Sequence, residues 1–350
     1  MTQDQAANAP GPTDRTELFR LVFGQMAAHT LRAATKLGLV DLLGDGEAAA
    51  EDLAGDLGTH PQATYRLLRA LAGLGLLAER RPGVFAATPK GLLLSGKQPG
   101  SMASLVSMFT DPAMLRGWEH LADSVRTGTT SFDTVFGTDF FSHLRRNPEL
   151  SAEFNAAMSQ ATHAVAAALP GAYDFGRFAA AVDVGGGDGT LLAAVLRAVP
   201  ALRGVVYDTE EGLAQAADTF DAAGVADRAA TVAGDFFTSV PPGGDLYLLK
   251  SVIHDWNDED CTGILRRCRE ALPPHGRVLI VEPVLPPTVD PDRIALTYLS
   301  DLNMLVNVGG RERTAADFAA LCRAAGLTEP VVTPLPAPLA FCLIEAAPAA

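Results

Sequence analysis

The stretch Asp183-Val-Gly185-Gly186-Gly187-Asp188-Gly189-Thr190 constrains the fold of this chain more than any other. It follows the apolar run Ala181–Val184 and precedes the apolar-periodic run Leu191–Val199, so it reads as a strand–turn–helix junction. Glycines there let a backbone come close to a ligand, and the helix that follows offers free N–H groups. A dinucleotide fingerprint needs Gly-x-Gly-x-x-Gly, but the residue three after Gly187 is Thr190. The spacing is instead Gly-x-Gly-x-Gly, preceded by Asp183. A carboxylate there accepts hydrogen bonds from a cationic amino group, which a nicotinamide ribose does not offer. The bland alternative is a tight turn that holds no ligand.

From Ala179 the chain alternates strand and helix, the pattern of a parallel sheet. The strands expected are Ala181–Val184, Gly204–Asp208, Ala230–Ala233, Asp245–Lys250 and Arg277–Glu282, with helices at Leu191–Val199 and Glu211–Ala223. Asn257 is expected to cap a helix Asp258–Leu272, with Asp260 completing a capping box. A closing hairpin, Val331–Leu335 and Ala340–Glu345, turns at Pro336-Ala337-Pro338. Asp208, Asp235, Lys250 and Glu282 then recur at strand ends, the edge where open parallel sheets bind ligands. An acid at the end of the second strand suits ribose hydroxyls. His254 falls just past the fourth strand, with Glu282 placed to orient its second ring nitrogen. A base of near-neutral pKa is able to take a proton from a phenol, whose reference pKa is about 10. A structural histidine is the alternative.

Residues 17–100 read as short helices and a hairpin: an apolar helical stretch Leu18–Leu43, a short helix Ala50–Leu57, and a helix His60–Leu71 capped by Thr59. Leu74–Glu79 then turns through Arg80-Arg81-Pro82-Gly83 into Val84–Thr88. This is a winged-helix pattern, which serves either DNA binding or dimerisation. Residues 1–100 carry ten acids and ten bases, so the footprint for phosphate contacts is missing. The net charge of −14 lies wholly in residues 101–350. Residues 101–170 look all-helical, with Met102, Met108, Met114, Trp118, Phe140, Phe141, Phe154 and Met158 as core or as the lining of a pocket for a flat apolar ligand. Residues 1–16 are expected to be a disordered tail rather than a signal peptide. No uncharged apolar run reaches the ~18 residues of a membrane span. Cys261, Cys268, Cys322 and Cys342 lack metal-ligand spacing and read as core thiols in a reducing, cytoplasmic setting.

With these residues the chain resembles the S-adenosylmethionine-dependent small-molecule O-methyltransferases related to caffeic acid and carminomycin methyltransferases. The shared features are Phe154-Asn-Ala-Ala-Met158, Asp183-Val-Gly-Gly-Gly187, Gly234-Asp-Phe236, Lys250, His254-Asp-Trp256, Glu282-Pro-Val-Leu-Pro286 and Gly309-Gly-Arg-Glu-Arg-Thr314. The resemblance spans almost the whole chain. It implies a Rossmann-like class I methyltransferase α/β sheet over residues 171–350, mostly parallel with an antiparallel C-terminal hairpin. Ahead of it come a helical, substrate-pocket region at 101–170 and a winged-helix-like dimerisation domain at 17–100. Asp183, Gly185 and Gly187 would line the methionine part of S-adenosylmethionine and Asp208 its ribose. Asp235 and Phe236 would flank the adenine, with Lys250 nearby. His254 would be the general base, held by Glu282 and Glu312 as a catalytic set. Phe154, Met158, Asp255 and Met304 would meet the acceptor. The N-terminal domain of a partner subunit in a homodimer would help to close the site. No metal, nucleic acid or membrane is implied. The family usually has Leu-Pro after the ribose acid, where this chain has Thr209-Glu210.

The expected reaction is transfer of a methyl group to a hydroxyl, expected to be phenolic, of an aromatic small molecule or natural product, leaving S-adenosylhomocysteine. Rivals are N-methylation, a non-methylating use of the same cofactor such as hydroxylation, and a ligand-sensing DNA-binding regulator.

Overall fold

The computed structural model describes residues 11–350, which divide into two compact units, one up to Asp111 and one from Pro112 to Ala350. The first ten residues of the expected tail lie outside the described residues. Residues 12–16 depart from that expectation, because a helix runs from Pro12 to Val22 with proline in its first turn.

In the first unit the stretch 18–43 is three helices, Pro12–Val22, Gly24–Lys36 and Leu39–Leu43. The second break falls at Gly38, whose φ of 63° ends one helix and admits the next. The third expected helix starts one residue later, at Pro61. Proline forces the residue before it out of helical geometry, so His60 becomes the N-cap. Thr59 does not cap; its hydroxyl lies 2.6 Å from that of Thr64. Strands β2 (Leu77–Arg81) and β3 (Val84–Ala87) form the hairpin, and a strand not foreseen, β1 (Glu47–Ala49), pairs with β3. Leu39, Leu53, Leu68, Leu71 and Phe85 fill the core. Helix Ala103–Phe109 packs on Gly24–Lys36 and belongs to this unit.

The second unit opens with short helices and a 25-residue helix, Pro148–Ala172. Then come β4 (Ala180–Val184), β5 (Arg203–Asp208), β6 (Ala229–Ala233), β7 (Leu246–Lys250), β8 (Arg277–Leu285), β9 (Arg313–Thr314), β10 (Val331–Pro334) and β11 (Phe341–Ala346). Their order is β10-β11-β8-β7-β4-β5-β6, with β9 beside the end of β8. Strands β4 to β8 pair in parallel; β10 and β11 are antiparallel. This is the Rossmann-like sheet with a C-terminal antiparallel hairpin that the sequence leads one to expect. Leu246–Leu249 shows why it forms here. Leu246 and Leu248 face one helical layer, Tyr247 and Leu249 the other, and all four are fully buried. Burying each such leucine contributes about 1.5–3 kcal/mol. All four cysteines are buried. Among the described residues no helix is long and apolar enough to cross a membrane.

Two local expectations change. The helix after β5 begins at Ala216 rather than Glu211, because residues 209–215 turn first: the Thr209 hydroxyl accepts the Gly212 N–H at 3.1 Å. Asn257 does cap helix Asp258–Ala271 through the Asp260 N–H, but Asp260 returns its carboxylate to the Asn257 side chain instead of its backbone. The chain order reverses between β4 and β7, and both the glycine loop and the histidine turn leave the sheet there.

Candidate active site

The glycine loop leaves β4 with Gly187 in the left-handed region, φ 56°. A Cβ added to Gly187 meets nothing within 4 Å, whereas one on Gly185 would strike Val252 at 2.7 Å. The loop is thus packed at its base and open at Gly187, which is what close approach by a ligand requires. The Gly187 N–H donates to Asp208 at 2.8 Å, so the acid ending β5 braces the loop. Burial pushes the Asp208 carboxyl up, partly offset by the N–H groups of Gly187 and Thr209. Asp183 is 1% exposed and its Oδ2 has no hydrogen-bond partner. Burial, then the nearby Asp208, lift its pKa to about 7, against the pull of Lys250. A buried carboxylate oxygen without a donor costs free energy unless something cationic completes it. An amino group of the kind carried by S-adenosylmethionine fits that gap.

Lys250 closes β7 and donates to the Thr162 hydroxyl at 3.1 Å. Burial lowers its pKa to about 8 despite Glu282, Asp183 and Asp255. Asp235 is exposed and accepts the Phe237 N–H, while the Phe236 ring meets Trp256. Gly185 lies beside Phe236. The structure therefore gathers Asp183, Gly185, Gly187, Asp208, Phe236 and Lys250 along one sheet edge.

After Lys250 the chain turns sharply through Ser251, whose φ of 53° is the one positive value among described residues other than glycine. Strain of this kind costs about 1–3 kcal/mol and persists where the surroundings enforce it. The turn Ile253–Asp255 follows and presents His254. Glu282 does not reach the imidazole; its Oε1 accepts the N–H groups of Val252, Ile253 and His254 at 3.1, 2.7 and 3.2 Å. Glu312 takes the ring instead, with Oε1 3.1 Å from His254 Nδ1. Ser300 donates its hydroxyl to the same oxygen at 3.0 Å. On the other side of the ring, Asp255 Oδ1 stands 3.5 Å from Nε2. Burial opposes a charge on His254, but Asp255, Glu312 and Glu282 together outweigh it and lift its pKa to about 10. Burial raises Glu282 to about 7 and Asp255 to about 6. The side chain keeps 15% of its surface exposed, so the ring is reachable.

An aromatic chain flanks this turn. Phe154 packs edge-on to Phe140, Phe140 to Phe141, and Phe141 stacks on Trp256 with centroids 5.2 Å apart. Met158 lies one turn along the helix from Phe154. Met304, 7% exposed, begins the π-helical turn Met304–Val308, which lies against Ile253–Asp255. Residue types alone did not single out Ser159 and Thr162, which tie the long helix to Thr190 and Lys250. Their four-residue offsets from Asn155 and Met158 were the available signal. Among the described residues no group of three or more His, Cys, Asp or Glu is placed to hold a metal.

Comparison with known proteins adds a family. A family model described as an O-methyltransferase domain matches residues 118–328, and one described as an O-methyltransferase dimerisation domain matches residues 19–95. The chain is 47% identical over 347 residues to O-demethylpuromycin-O-methyltransferase of Streptomyces alboniger, covering 99% of this chain and 92% of that one. It is 36% identical to 8-amino-8-demethylriboflavin N,N-dimethyltransferase of Streptomyces davaonensis, over 91% and 93% of the two chains. Among solved structures it is similar to an O-methyltransferase from neocarzinostatin biosynthesis in complex with S-adenosylmethionine and 2-hydroxy-5-methyl naphthoic acid. That match has 32% identity and a TM-score of 0.77, covering 92% and 96% of the chains.

Proposed function

The chain belongs to the S-adenosylmethionine-dependent O-methyltransferase family, and from that premise we propose that it methylates a phenolic hydroxyl of an aromatic natural product with His254 as general base. The observation that carries this reading is the pairing of His254 Nδ1 with Glu312, which leaves Nε2, with Asp255 Oδ1 3.5 Å away, as the nitrogen to meet the acceptor. S-adenosylmethionine supplies an electrophilic methyl group when bound. Asp183 would hold its amino group, Asp208 its ribose, and Asp235 and Phe236 its adenine. Gly185 and Gly187 give the backbone room, and Lys250 balances the acids around it. Phe154, Met158 and Met304 would supply an apolar wall for a flat ring, and Asp255 would accept from a donor beside the reacting hydroxyl.

His254 takes the hydroxyl proton at Nε2, and Glu312 stabilises the resulting imidazolium through Nδ1. Surrounded by carboxylates alone, the imidazole holds its own proton near neutral pH. With a cationic group held beside it, the His254 pKa would fall, which favours the neutral base. No metal has a role in this scheme. The first unit would serve a homodimer: Leu18, Phe19, Leu21, Val22 and Phe23 are all more than half exposed along one short stretch, an apolar surface that suits a second copy.

O-demethylpuromycin is the acceptor to try first, given the 47% relative. Incubation with methyl-labelled S-adenosylmethionine, followed by mass spectrometry, is expected to show one methyl group added at oxygen. Transfer to an aromatic amine is the second reading, favoured by the riboflavin-modifying relative. Label on nitrogen alone would replace the first reading with the second.

A further inference from the structure

We propose that Arg313 and Gly310 are positioning residues for the histidine base, acting through the backbone of the turn that carries it. The inference rests on the reading of His254 as that base. Arg313 is the largest fully buried side chain of the described residues, 1% exposed. A buried guanidinium is costly unless its donors are all well used. Here Nη1 donates to the Ile253 carbonyl at 2.6 Å and Nη2 to the Trp256 carbonyl at 2.8 Å. Those two carbonyls bracket His254 and Asp255. On the other side of the turn Glu282 takes three successive N–H groups. A buried carboxyl oxygen on the N–H groups and a buried guanidinium on the carbonyls thus fix the turn from both ends of its peptide dipoles.

Gly310 completes the seat. A Cβ on it would come 2.0 Å from the His254 carbonyl oxygen, 2.4 Å from the Asp255 carbonyl carbon and 2.7 Å from the Trp256 nitrogen. Only a residue without a side chain lets segment 309–314 lie flat on the turn. The same segment carries Glu312, the partner of the ring. One short stretch therefore sets both the backbone and the ring of His254, so their separation is fixed locally. Arg313 also donates through Nε and Nη2 to Asp258 Oδ1 at 3.1 and 2.7 Å, a carboxylate shared with Arg311, which balances the charge of the guanidinium from outside the turn. Lysine lacks the planar fork and reaches only one of the two carbonyls.

The test uses full-length Arg313→Lys and Gly310→Ala. In each, kcat and KM are measured with O-demethylpuromycin. Affinity for S-adenosylhomocysteine is measured by calorimetry, and the His254 Nδ1–H resonance is followed in histidine-labelled protein with S-adenosylhomocysteine bound. Misplacing a base by about 1 Å costs on the order of 10²-fold in rate. We expect that fall in kcat with acceptor KM and cofactor affinity kept, and a displaced or missing Nδ1–H resonance. Wild-type kcat and an unmoved resonance in both variants, with only a lower thermal midpoint, would overturn the proposal. If Arg313→Lys does not fold, Gly310→Ala decides by the same readouts. Failure of the base reading is seen separately, as full turnover in His254→Ala, while the resonance still reports how the ring is held.

Discussion

The loop after β4 and the turn after β7 leave neighbouring strands of one sheet, yet they are built in opposite ways. The loop works through what is missing, a side chain at Gly187, although both regions keep buried oxygens without donors, Asp183 Oδ2 at the loop and Glu282 Oε2 and Glu312 Oε2 at the turn. The turn works through what is crowded around it, with Glu282 on its N–H groups and Glu312 on its ring. A region left open is fitted to receive a ligand. An over-determined one is fitted to hold a single reactive group still. On the proposed reading, the first binds the cofactor and the second transfers the proton.

That division has measurable consequences, the largest at the turn. His254→Ala should slow methyl transfer by roughly 10²- to 10⁴-fold, the usual worth of a positioned base. Calorimetric affinity for S-adenosylhomocysteine should not change. At the loop the order reverses. Asp183→Asn should weaken S-adenosylhomocysteine by about 10- to 100-fold, because a hydrogen bond to a charged group contributes about 1.5–3 kcal/mol. The same substitution should raise the thermal midpoint of the cofactor-free protein above pH 7. Asp183 has a folded pKa of about 7, above its ordinary 3.8, so its ionisation costs stability as pH rises between those values. Asparagine removes that cost. A variant that bound more weakly without gaining stability would count against the orphaned carboxylate as a ligand site.

Gly187→Ala should have a smaller effect. Its left-handed φ costs alanine about 1–2 kcal/mol, which corresponds to about a tenfold loss of cofactor affinity if it is felt on binding. Smallest is the pH response. A base must be neutral, so activity should rise with pH through the His254 pKa. Removing a carboxylate lowers that pKa, so Asp255→Asn should move the rising limb to lower pH. A limb set by ionisation of the acceptor would stay in place.

The same contrast explains what was legible in the sequence. The loop is contiguous, and its glycine spacing and leading acid survive as a pattern in Asp183–Gly189. Four of the five parallel strands, β4, β5, β7 and β8, were legible as short apolar runs with buried residues on both faces, as Leu246–Leu249 shows, whereas β6 at the sheet edge is largely exposed and was legible only as an apolar run at the right spacing. The turn is assembled from three segments, 252–256, 282 and 309–313, and no periodicity links them. His254 and Glu282 were placed from their positions at the ends of strands and Glu312 through a family resemblance, and neither foresaw Glu282 binding backbone rather than ring. Strand β1 was missed because three residues carry no alternation and their partner lies some 37 positions away, Glu47 opposite Ala86 and Ala49 opposite Val84. The N-cap at His60 was legible in principle from Pro61.

The measurement that bears most directly on the division is single-turnover methyl transfer at saturating S-adenosylmethionine, compared for His254→Ala and Asp183→Asn. Saturation removes binding from the rate. The account predicts a transfer rate near wild type for Asp183→Asn and a rate lower by about 10²-fold or more for His254→Ala. Equal rates for His254→Ala and the wild type, or an equal loss in the two variants, would contradict it.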